Sequence, residues 1–541
     1  MQIIFEVKTM FPKNKPYPYY KTPDIDDLKE FIKYCGINYG EKVAFRWLEK
    51  KIEKTKTYKD LNDDITALGE YFLNEGYKEK HIAVIGENSY NWIITYFATV
   101  NSGNVIVPID KECTQDEIKY FIEKSDAEIL IHSDDYTEEA EFSGCSVRIN
   151  MNDFDEILKK GKELLSSGHN EFQNVEIDNN KMCTLVFTSG TTAESKGVML
   201  SHLNIIFDTI ATSKSVLIPD SSLLMLPIHH TYGFVASLTI PMLVGSSIFI
   251  NSSMRHLMND IKYAKPKYIA CVPLIAEAFY KKIQENLKAT GKDKLIQKLL
   301  FISNMLCKCN IDIRRKLFKK ILDAFGGNLE ILVIGGAPIN ENCVIGFHDF
   351  GINVLCGYGI TECSPIVSTM RNEHYEPKSV GVVHPGVEVR IENNEIQVKG
   401  NIVFSGYYKN EKATQKVFDG EWFKTGDLGE YKNNMLYING RIKNLIILPN
   451  GKNVSPEELE QKISSNIKEI DEIVVYQKDN MIVSEIYSAE ADENKKKEIE
   501  TKVLQFNKNL PSYKQIGKVT FRDVEFQKTT TKKIKRGKIN D

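Results

Sequence analysis

Short apolar runs alternate with amphipathic stretches along most of the chain, which predicts strands alternating with helices. Residues 81–85 and 105–108 are such runs, and residues 92–100 between them have the spacing of a helix. A strand, a helix and a second strand in this order form a βαβ unit, so we expect a mostly parallel sheet. Residues 275–324 read as mostly helical, and further strands are predicted at 128–132, 147–150, 185–187, 223–226, 247–250, 268–272, 330–334 and 353–356.

The pattern changes in the last third of the chain. Residues 380–408 alternate apolar and polar positions between Gly and Asn turns, which predicts short antiparallel strands and a β-barrel-like subdomain. From about residue 442 a small α+β unit follows, with a strand at 445–448 and a helix after Ser455, where Ser455 and Glu458 form a capping box. The predicted fold class is therefore α/β, with a large N-terminal domain over residues 1–441 and a small α+β domain over 442–541.

Composition and charge exclude several classes of protein. The chain has 541 residues, 42% of them hydrophobic, and a net charge of −3, so no overall field attracts nucleic acid. Its ten cysteines show no metal-ligand spacing, which predicts reduced thiols, a cytoplasmic location and no zinc. The longest stretch without charge, 221–254, is interrupted by Pro241 and reads as a buried helix and strand instead of a membrane span.

One stretch, residues 184–200, has the chemistry of a phosphate-binding loop. After the apolar strand come four hydroxyl side chains, a glycine and a lysine: Thr188, Ser189, Gly190, Thr191, Thr192 and Lys196. Hydroxyls and free backbone N–H groups donate hydrogen bonds to phosphate, and a lysine supplies positive charge. The P-loop pattern does not fit, because Lys196 precedes a glycine instead of following one. Taken alone, the loop is equally compatible with a surface turn.

The sequence TSGTTAESKGV in this stretch resembles the phosphate loop TSGTTGxPKGV of the acyl-adenylating superfamily, with Ala193 and Ser195 as departures. Further motifs of that superfamily follow in the same order. The resemblance implies that the hydroxyls and Lys196 hold the β- and γ-phosphates of ATP. It also implies that Glu362, in YGITE, positions Mg²⁺ together with Thr188, that Thr361 reaches the α-phosphate, and that Tyr358 stacks on adenine. The remaining nucleotide-binding residues implied are Gly335, Gly336, Ala337, Gly357 and Gly359.

The resemblance extends to the C-terminal part. Asp427, in Thr425-Gly426-Asp427, and Arg441 would hold the ribose, and Lys443 stands at the hinge that lets the small domain swing. The end of the chain, FQKTTTKKIKRGKIND, is similar to PKTxxGKIxR, which makes Lys533 the catalytic lysine. Gln527 and the adjacent Lys532 depart from that pattern. By itself this basic end is typical of a solvated or polyanion-binding tail.

His230 matches the gate of the superfamily's acyl pocket, and Tyr232, Gly233 and Phe234, with Gly336, would line that pocket. The alternative is that the histidine belongs to the core. Within the superfamily the chain is most similar to bacterial long-chain fatty acid–CoA ligases, through HHTYG and GRIKNLIILPNGKNVSPEELE. The implied reaction uses ATP, Mg²⁺ and coenzyme A to convert a medium- or long-chain fatty acid to its adenylate and then its thioester.

Other interpretations stay open at this point. The thiol acceptor could be an acyl carrier protein, the acid could be aromatic, or the chain could be an inactive nucleotide-binding paralogue. Residues 281–324 carry twelve Lys or Arg against four acids. They form either solvated faces of core helices or a basic surface for an anionic membrane or for coenzyme A phosphates. We expect no nucleic-acid partner, and a monomer or homodimer.

Overall fold

Helices and strands alternate along the chain, as the hydrophobic pattern predicts. The structure is a computed structural model that describes residues 17–188, 195–309, 311–448, 452–478, 481–489, 491–528, 534 and 536. The helices are α1 (Leu28–Tyr39), α2 (Tyr58–Asn74), α3 (Tyr90–Asn101), α4 (Gln115–Ser125), α5 (Thr137–Phe142), α6 (Phe154–Ser166), α7 (Glu171–Asn174), α8 (His202–Ser215), α9 (Thr231–Phe234), α10 (Ile240–Leu243), α11 (Leu257–Ala264), α12 (Pro273–Ala289), α13 (Asp293–Lys308), α14 (Arg314–Leu317), α15 (Lys319–Leu322), α16 (Glu341–Asp349), α17 (Glu411–Val417), α18 (Pro456–Asn466) and α19 (Glu493–Phe506).

The strands are β1 (Val43–Glu49), β2 (Ile52–Thr57), β3 (His81–Ile85), β4 (Val105–Pro108), β5 (Ile129–His132), β6 (Val147–Asn150), β7 (Met182–Thr188), β8 (Lys196–Ser201), β9 (Ser221–Leu224), β10 (Ser247–Ile250), β11 (Tyr268–Cys271), β12 (Ile331–Ile334), β13 (Asn353–Gly359), β14 (Ile366–Thr369), β15 (Val382–Val383), β16 (Glu388–Glu392), β17 (Glu395–Lys399), β18 (Gly406–Tyr407), β19 (Phe418–Asp419), β20 (Trp422–Lys432), β21 (Met435–Arg441), β22 (Ile446–Ile447), β23 (Asn453–Val454), β24 (Glu472–Lys478), β25 (Met481–Tyr487) and β26 (Lys518–Arg522).

Two mixed sheets carry the first three quarters of the chain. The first has nine strands in the order β15-β14-β13-β12-β11-β9-β10-β1-β2. The six strands from β13 to β1 run parallel, and antiparallel strands close both edges. The second has seven strands in the order β18-β8-β7-β4-β3-β5-β6, of which β7 to β6 are parallel. The predicted parallel α/β architecture is confirmed.

Smaller antiparallel sheets follow. β16, β17, β20, β19 and β21 form a five-stranded sheet, which agrees with the antiparallel subdomain predicted from the alternating pattern. β22 pairs with β23, and β24, β25 and β26 form a three-stranded sheet with one parallel pair.

The continuous apolar runs of the parallel strands have a physical reason, because both faces of their sheet are buried. In β3, Ile82 and Val84 pack into the main core, whereas Ala83 and Ile85 belong to a second apolar cluster on the opposite face. The small helices α9 and α10, joined by a π-helical turn at Val235–Thr239, lie wholly within the main core from Gly233 onward.

The C-terminal part has an apolar cluster of its own. Buried side chains from Ile446 in β22 to Val519 in β26 pack around α18 and α19. The division of the chain at residues 441 and 442 stays a prediction.

Two local expectations need correction. Ser455 accepts a hydrogen bond from the backbone N–H of Glu458 (3.3 Å), but the Glu458 carboxylate pairs with Lys462 and Lys514 instead of the helix start, so only half of the capping box forms. The strand predicted at 445–448 is reduced to the two residues of β22. Among the described residues, no helix combines the length and apolar character that crossing a bilayer requires.

Candidate functional site

The carboxyl ends of neighbouring parallel strands bring two of the predicted motifs together. β12 and β13 pair with Ile334 opposite Cys356. The predicted loop of Gly335, Gly336 and Ala337 follows β12. β13 itself carries Gly357, Tyr358 and Gly359, with Thr361 and Glu362 in the turn directly after it. Open α/β sheets bind ligands at this edge, because the strand ends leave backbone groups and loop side chains facing one crevice.

The predicted phosphate loop is the connection of a hairpin. β7 and β8 are antiparallel, and Thr188 lies opposite Lys196 at their open end. Thr188 Oγ1 is 3.5 Å from the Lys196 carbonyl oxygen. The other predicted loop residues, Ser189, Gly190, Thr191 and Thr192, lie outside the described residues, as does Lys533.

Glu362 is a buried carboxylate with organised surroundings. The Tyr407 hydroxyl donates a hydrogen bond of 2.9 Å to its Oε1, and Lys196 Nζ lies 4.6 Å from the centre of the Tyr407 ring. Burial raises the pKa of Glu362 above its ordinary value, although the Tyr407 hydrogen bond and the charges of Arg441 and Lys196 act in the opposite direction. An ionised carboxylate here therefore favours a cation beside it, which fits the magnesium role implied by the resemblance.

Tyr407 was missed by the sequence analysis. It lies in β18, which pairs with β8 so that Tyr407 is opposite Val198, two positions from Lys196. The short strand β18 therefore brings a phenol side chain from a distant segment onto the hairpin of β7 and β8. The pattern of residues 380–408 predicted strands but carried no signal for this pairing.

Asp427 is the second buried carboxylate, and both of its oxygens are engaged. The Tyr358 hydroxyl donates to Oδ2 (2.8 Å), and Arg441 Nε lies 2.7 Å from Oδ1. β20 and β21 place Asp427 directly opposite Arg441. The backbone N–H of Asp427 donates to Thr425 Oγ1 (3.0 Å), and that hydroxyl donates to the Ile396 carbonyl (2.7 Å). The motifs assigned to adenine and to ribose are thus one hydrogen-bonded unit.

Lys443 is exposed and lies in a 3₁₀ turn, Ile442–Asn444, directly after β21. Burial and the charge of Arg441 lower the pKa of Lys443, while Asp427 and Glu362 act in the opposite direction. The residue predicted as the hinge therefore lies within the electrostatic range of both buried carboxylates.

The predicted pocket segment packs closely against the ends of β11 and β12. The Tyr232 hydroxyl donates to the carbonyls of Cys271 (3.2 Å) and Val333 (3.4 Å). A Cβ atom on Gly335 would lie 3.0 Å from the Tyr232 ring, and one on Gly233 would lie 2.2 Å from the Pro227 carbonyl oxygen. Small residues are required at both positions. Phe234 stacks obliquely on Tyr96, with 4.1 Å between ring centres.

His230 has partners that the sequence did not indicate. Its Nε2 lies 3.9 Å from Asp110 Oδ2, and the Nε2 of the buried His229 lies 3.3 Å from Asp110 Oδ1. Asp110 follows β4, at the carboxyl end of the second sheet, so the contact joins segments far apart in the chain. The signal available in the sequence was an acidic residue, Asp110, shortly after the predicted strand at 105–108.

Near the C-terminus, the structure describes the contacts of Arg536, a residue of the basic segment. Arg536 pairs with Glu460 of α18 and lies 3.9 Å from Glu457. These contacts anchor Arg536 on the C-terminal unit.

Comparison with known proteins gives consistent results. A model of the family described as AMP-binding enzyme matches residues 36–408. The long-chain-fatty-acid–CoA ligase 5 of Rattus norvegicus is 30% identical over 460 residues, which cover 75% of this chain and 67% of that protein. The long-chain-fatty-acid–CoA ligase FadD15 of Mycobacterium bovis is 27% identical over 417 residues, covering 71% and 69%.

Solved structures share the fold at low identity. The anthranilate CoA ligase AuaEII in complex with anthranoyl-AMP has a TM-score of 0.77 at 16% identity, with 97% of each chain covered. The o-succinylbenzoate CoA synthetase MenE of Bacillus subtilis in complex with its acyl-adenylate has a TM-score of 0.74 at 20% identity, covering 94% of this chain and 98% of that one.

The raised pKa of Glu362 predicts a stability cost at neutral pH in the protein without ligands. Because burial favours the protonated form, ionisation opposes folding, and this penalty appears as pH rises from the ordinary Glu pKa through the folded-state pKa. Glu362→Gln should therefore increase the free energy of unfolding at pH 7.5 by on the order of 1 kcal/mol. Thermal unfolding of both proteins between pH 4 and 8 should show the difference closing at low pH.

Glu163→Gln is the matched control, because Glu163 is an exposed carboxylate on α6 and its replacement should leave stability nearly unchanged. A Glu362→Gln protein that is less stable than wild type at pH 7.5 would contradict the proposed cost.

Proposed function

The chain belongs to the AMP-binding enzyme family, and we propose that it is an ATP-dependent ligase that joins a carboxylic acid to the thiol of coenzyme A. In the first step the acid's carboxylate oxygen attacks the α-phosphorus of ATP and pyrophosphate leaves. In the second step the thiol sulfur attacks the acyl carbon, the thiol proton is lost and AMP leaves. The observation that carries this proposal is the pair of buried carboxylates, Glu362 and Asp427, each with a cation near it. Lys196 lies near Glu362, and Arg441 pairs with Asp427.

Nucleotide binding follows from the unit around Asp427. A carboxylate oxygen has two lone pairs, so Asp427 can accept from ribose hydroxyls while it keeps Tyr358 and Arg441. The hydrogen bond to Asp427 fixes the Tyr358 phenol, which would hold its ring in place for stacking on adenine. Gly335, Gly336 and Ala337 leave room for the backbone to approach the base.

The phosphates would lie toward the hairpin. Lys196 and Thr188 are at its open end, and Ser189, Gly190, Thr191 and Thr192 would complete the cradle. Glu362 with Thr188 would hold Mg²⁺, which when bound offsets the negative charge of the phosphates. Thr361, next to Glu362, would reach the α-phosphate.

We propose a fatty acid of medium or long chain as the acid. The named relatives at 27–30% identity support this choice. His230 would close over the carboxylate, and Tyr232, Gly233 and Phe234 would form the apolar wall behind it. Of these, Phe234 packs onto Tyr96 and Phe97 of α3. An aromatic acid, or an acyl carrier protein as the thiol acceptor, are the alternatives that the assay below separates.

We also propose that residues 442–541 move as a unit about Lys443 between the two steps. This unit has its own apolar cluster, and polar side chains are among its described contacts with the rest of the chain. Examples are Gln461 Nε2 to the Ile339 carbonyl (3.1 Å) and Lys281 to Asp471 (2.7 Å). Such contacts exchange readily with water, since exposed ion pairs contribute little to stability. The movement would bring Lys533 to the α-phosphate for the first step.

A cytoplasmic location is part of the proposal, because the ten cysteines have free thiols and a reducing compartment keeps them so. At the anionic inner face of a membrane, α13 would form a peripheral contact. Its apolar side chains Leu295, Phe301, Ile302 and Met305 are about half exposed, between 49% and 55%. They share one face with Lys294 and Lys298, which is the pattern of an amphipathic helix that lies on anionic lipid.

The function is tested by pyrophosphate release from ATP over a panel of acids, namely acetate, octanoate, palmitate and benzoate, with and without coenzyme A. We expect octanoate or palmitate to support pyrophosphate release. Coenzyme A should accelerate it, because its thiol reacts with the bound acyl-adenylate and frees the site for another turnover. A single slow turnover that coenzyme A does not relieve indicates a carrier protein as acceptor. A preference for benzoate would indicate that the substrate is an aromatic acid. If no acid supports pyrophosphate release, the proposed function is contradicted.

The catalytic lysine is tested by separating the two steps. Lys533→Ala should lower the rate of adenylation by about 100-fold or more, because it removes charge that stabilises the transition state. It should leave thioester formation from supplied acyl-AMP nearly intact. Lys532→Ala is the matched control, since it removes an adjacent charge, and its effect on adenylation should be small. Equal loss in both variants would contradict the assignment to Lys533.

The hinge is tested by Lys443→Pro. Proline fits the backbone of a 3₁₀ turn but fixes φ, so the unit should be held in one orientation. We expect the thioester step to lose more rate than adenylation, measured by single-turnover kinetics. Lys443→Ala removes the same charge and keeps the backbone free. If the alanine variant shows the same imbalance, the effect comes from the side chain and the hinge proposal fails.

The membrane contact is tested by co-sedimentation with vesicles of phosphatidylcholine alone or mixed with phosphatidylglycerol. Lys294→Gln with Lys298→Gln should weaken binding to the anionic vesicles about tenfold or more, because each lysine near the surface contributes about 1 kcal/mol. Phe301→Ser with Met305→Ser should weaken it too. Ile37→Ser, which changes an exposed apolar residue on α1, should have no effect. Equal binding to neutral and anionic vesicles would overturn the proposal.

A further inference from the structure

Beside the proposed acyl gate, three side chains form a cluster of metal-ligand type. We propose that Asp110, His229 and His230 bind a divalent transition-metal ion of the Zn²⁺ class. One ligand atom from each residue lies within 4.8 Å of the other two. This proposal is independent of the magnesium role of Glu362 and of acid activation.

The spacing of the cluster is close to that of a tetrahedral site. Zn²⁺ binds imidazole nitrogen at about 2.0–2.1 Å and carboxylate oxygen at about 2.0–2.2 Å, so two tetrahedral ligand atoms are about 3.3–3.4 Å apart. The His229 nitrogen and Asp110 Oδ1 are 3.3 Å apart, which already matches. The His230 nitrogen is 3.9 Å from Asp110 Oδ2. The side chain of His230 is 30% exposed, so it has room for the small rotation that shortens this distance.

His229 gives the second, independent observation. Its side chain is 6% exposed, and its Nε2 has no hydrogen-bond partner among the residues that the structure describes. The contact to Asp110 is short but does not have the geometry of a hydrogen bond. Burying a polar nitrogen without a partner costs free energy. A metal ion in the cluster would coordinate this nitrogen and remove that cost.

Neighbouring groups hold the ligands in position, as they do in established metal sites. The backbone N–H of Glu112 donates to Asp110 Oδ1 (3.0 Å) and orients the carboxylate. Asn88 accepts from the Ile228 backbone N–H (3.1 Å) and donates to the Leu226 carbonyl (2.7 Å). This clamp fixes the backbone immediately before His229.

The ligand set selects the class of ion. Two imidazoles and one carboxylate suit Zn²⁺ and its neighbours in the first transition row, whereas Mg²⁺ prefers oxygen ligands alone. Three protein ligands also leave a fourth position open. The cysteine spacing predicted no zinc, and the sequence did not indicate this site because the fold brings Asp110 to the two histidines from a distant segment.

The test uses the full chain, with any affinity tag removed and with metal stripped by a chelator. Co²⁺ serves as a spectroscopic probe for the Zn²⁺ position, and Zn²⁺ is then added in competition. We expect one Co²⁺ per chain with the visible absorption of a tetrahedral nitrogen and oxygen site, displaced by Zn²⁺ and unaffected by millimolar Mg²⁺. His229→Gln and Asp110→Asn should each weaken Co²⁺ binding at least tenfold.

His169→Gln is the matched control, because His169 is an exposed histidine that contacts Ser167. Its binding should equal that of wild type. Circular dichroism of each metal-free variant establishes that it is folded. If His229→Gln does not fold, Asp110→Asn, which conserves the shape of the side chain, carries the test. Sulfur-to-cobalt charge-transfer bands would place the ion at a cysteine and overturn the proposal. Absence of binding by wild type at micromolar Co²⁺, or unchanged binding by both ligand variants, would overturn it as well.

Discussion

Two buried carboxylates, Glu362 directly after β13 and Asp427 within β20, are the constraint on which the site depends. An ionised carboxylate that loses water is costly unless hydrogen bonds or cations replace that water. Glu362 obtains a phenol from Tyr407, with Lys196 near it. Asp427 obtains the phenol of Tyr358 and the guanidinium of Arg441. Each carboxylate is therefore built in together with its partners, and removing either partner would leave buried charge uncompensated.

These partners explain why antiparallel strands are added to a parallel sheet. A parallel βαβ arrangement leaves the carboxyl ends of its strands open, with few groups to surround a charge. The hairpin of β7 and β8, in the seven-stranded sheet, carries Lys196 at its open end, and β18 pairs with β8 to add Tyr407. β20 and β21 place Asp427 opposite Arg441. The antiparallel additions thus supply the polar partners, while the parallel strands supply the apolar core.

Much of this arrangement could be predicted from the sequence, and the exceptions share one cause. The strands β3 and β4 were predicted to the residue, because apolar runs buried on both faces are a local signal. The placement of Glu362 near Tyr358 and the glycines follows from the rule that parallel strand ends meet. Tyr407 and Asp110 were missed because their contacts join segments far apart in the chain. At Ser455 the local signal was present, but Lys462 and Lys514 compete for the Glu458 carboxylate, so tertiary contacts override half of the capping box.

The charges around Lys443 bear on the movement proposed for residues 442–541. Lys443 lies near Asp427 and Glu362, and burial lowers its pKa, so its charged form is costly where it stands. A polyphosphate in the crevice would add negative charge and favour the charged form of every nearby cation. When pyrophosphate leaves, that stabilisation is lost and the same cations repel one another more strongly, as Arg441 already does Lys443. The turn that carries Lys443 lies between the two apolar clusters. A change in bound phosphate would therefore directly change the electrostatic energy of this turn. In the movement proposed for residues 442–541, that lysine would connect the two buried carboxylates with the unit that follows it.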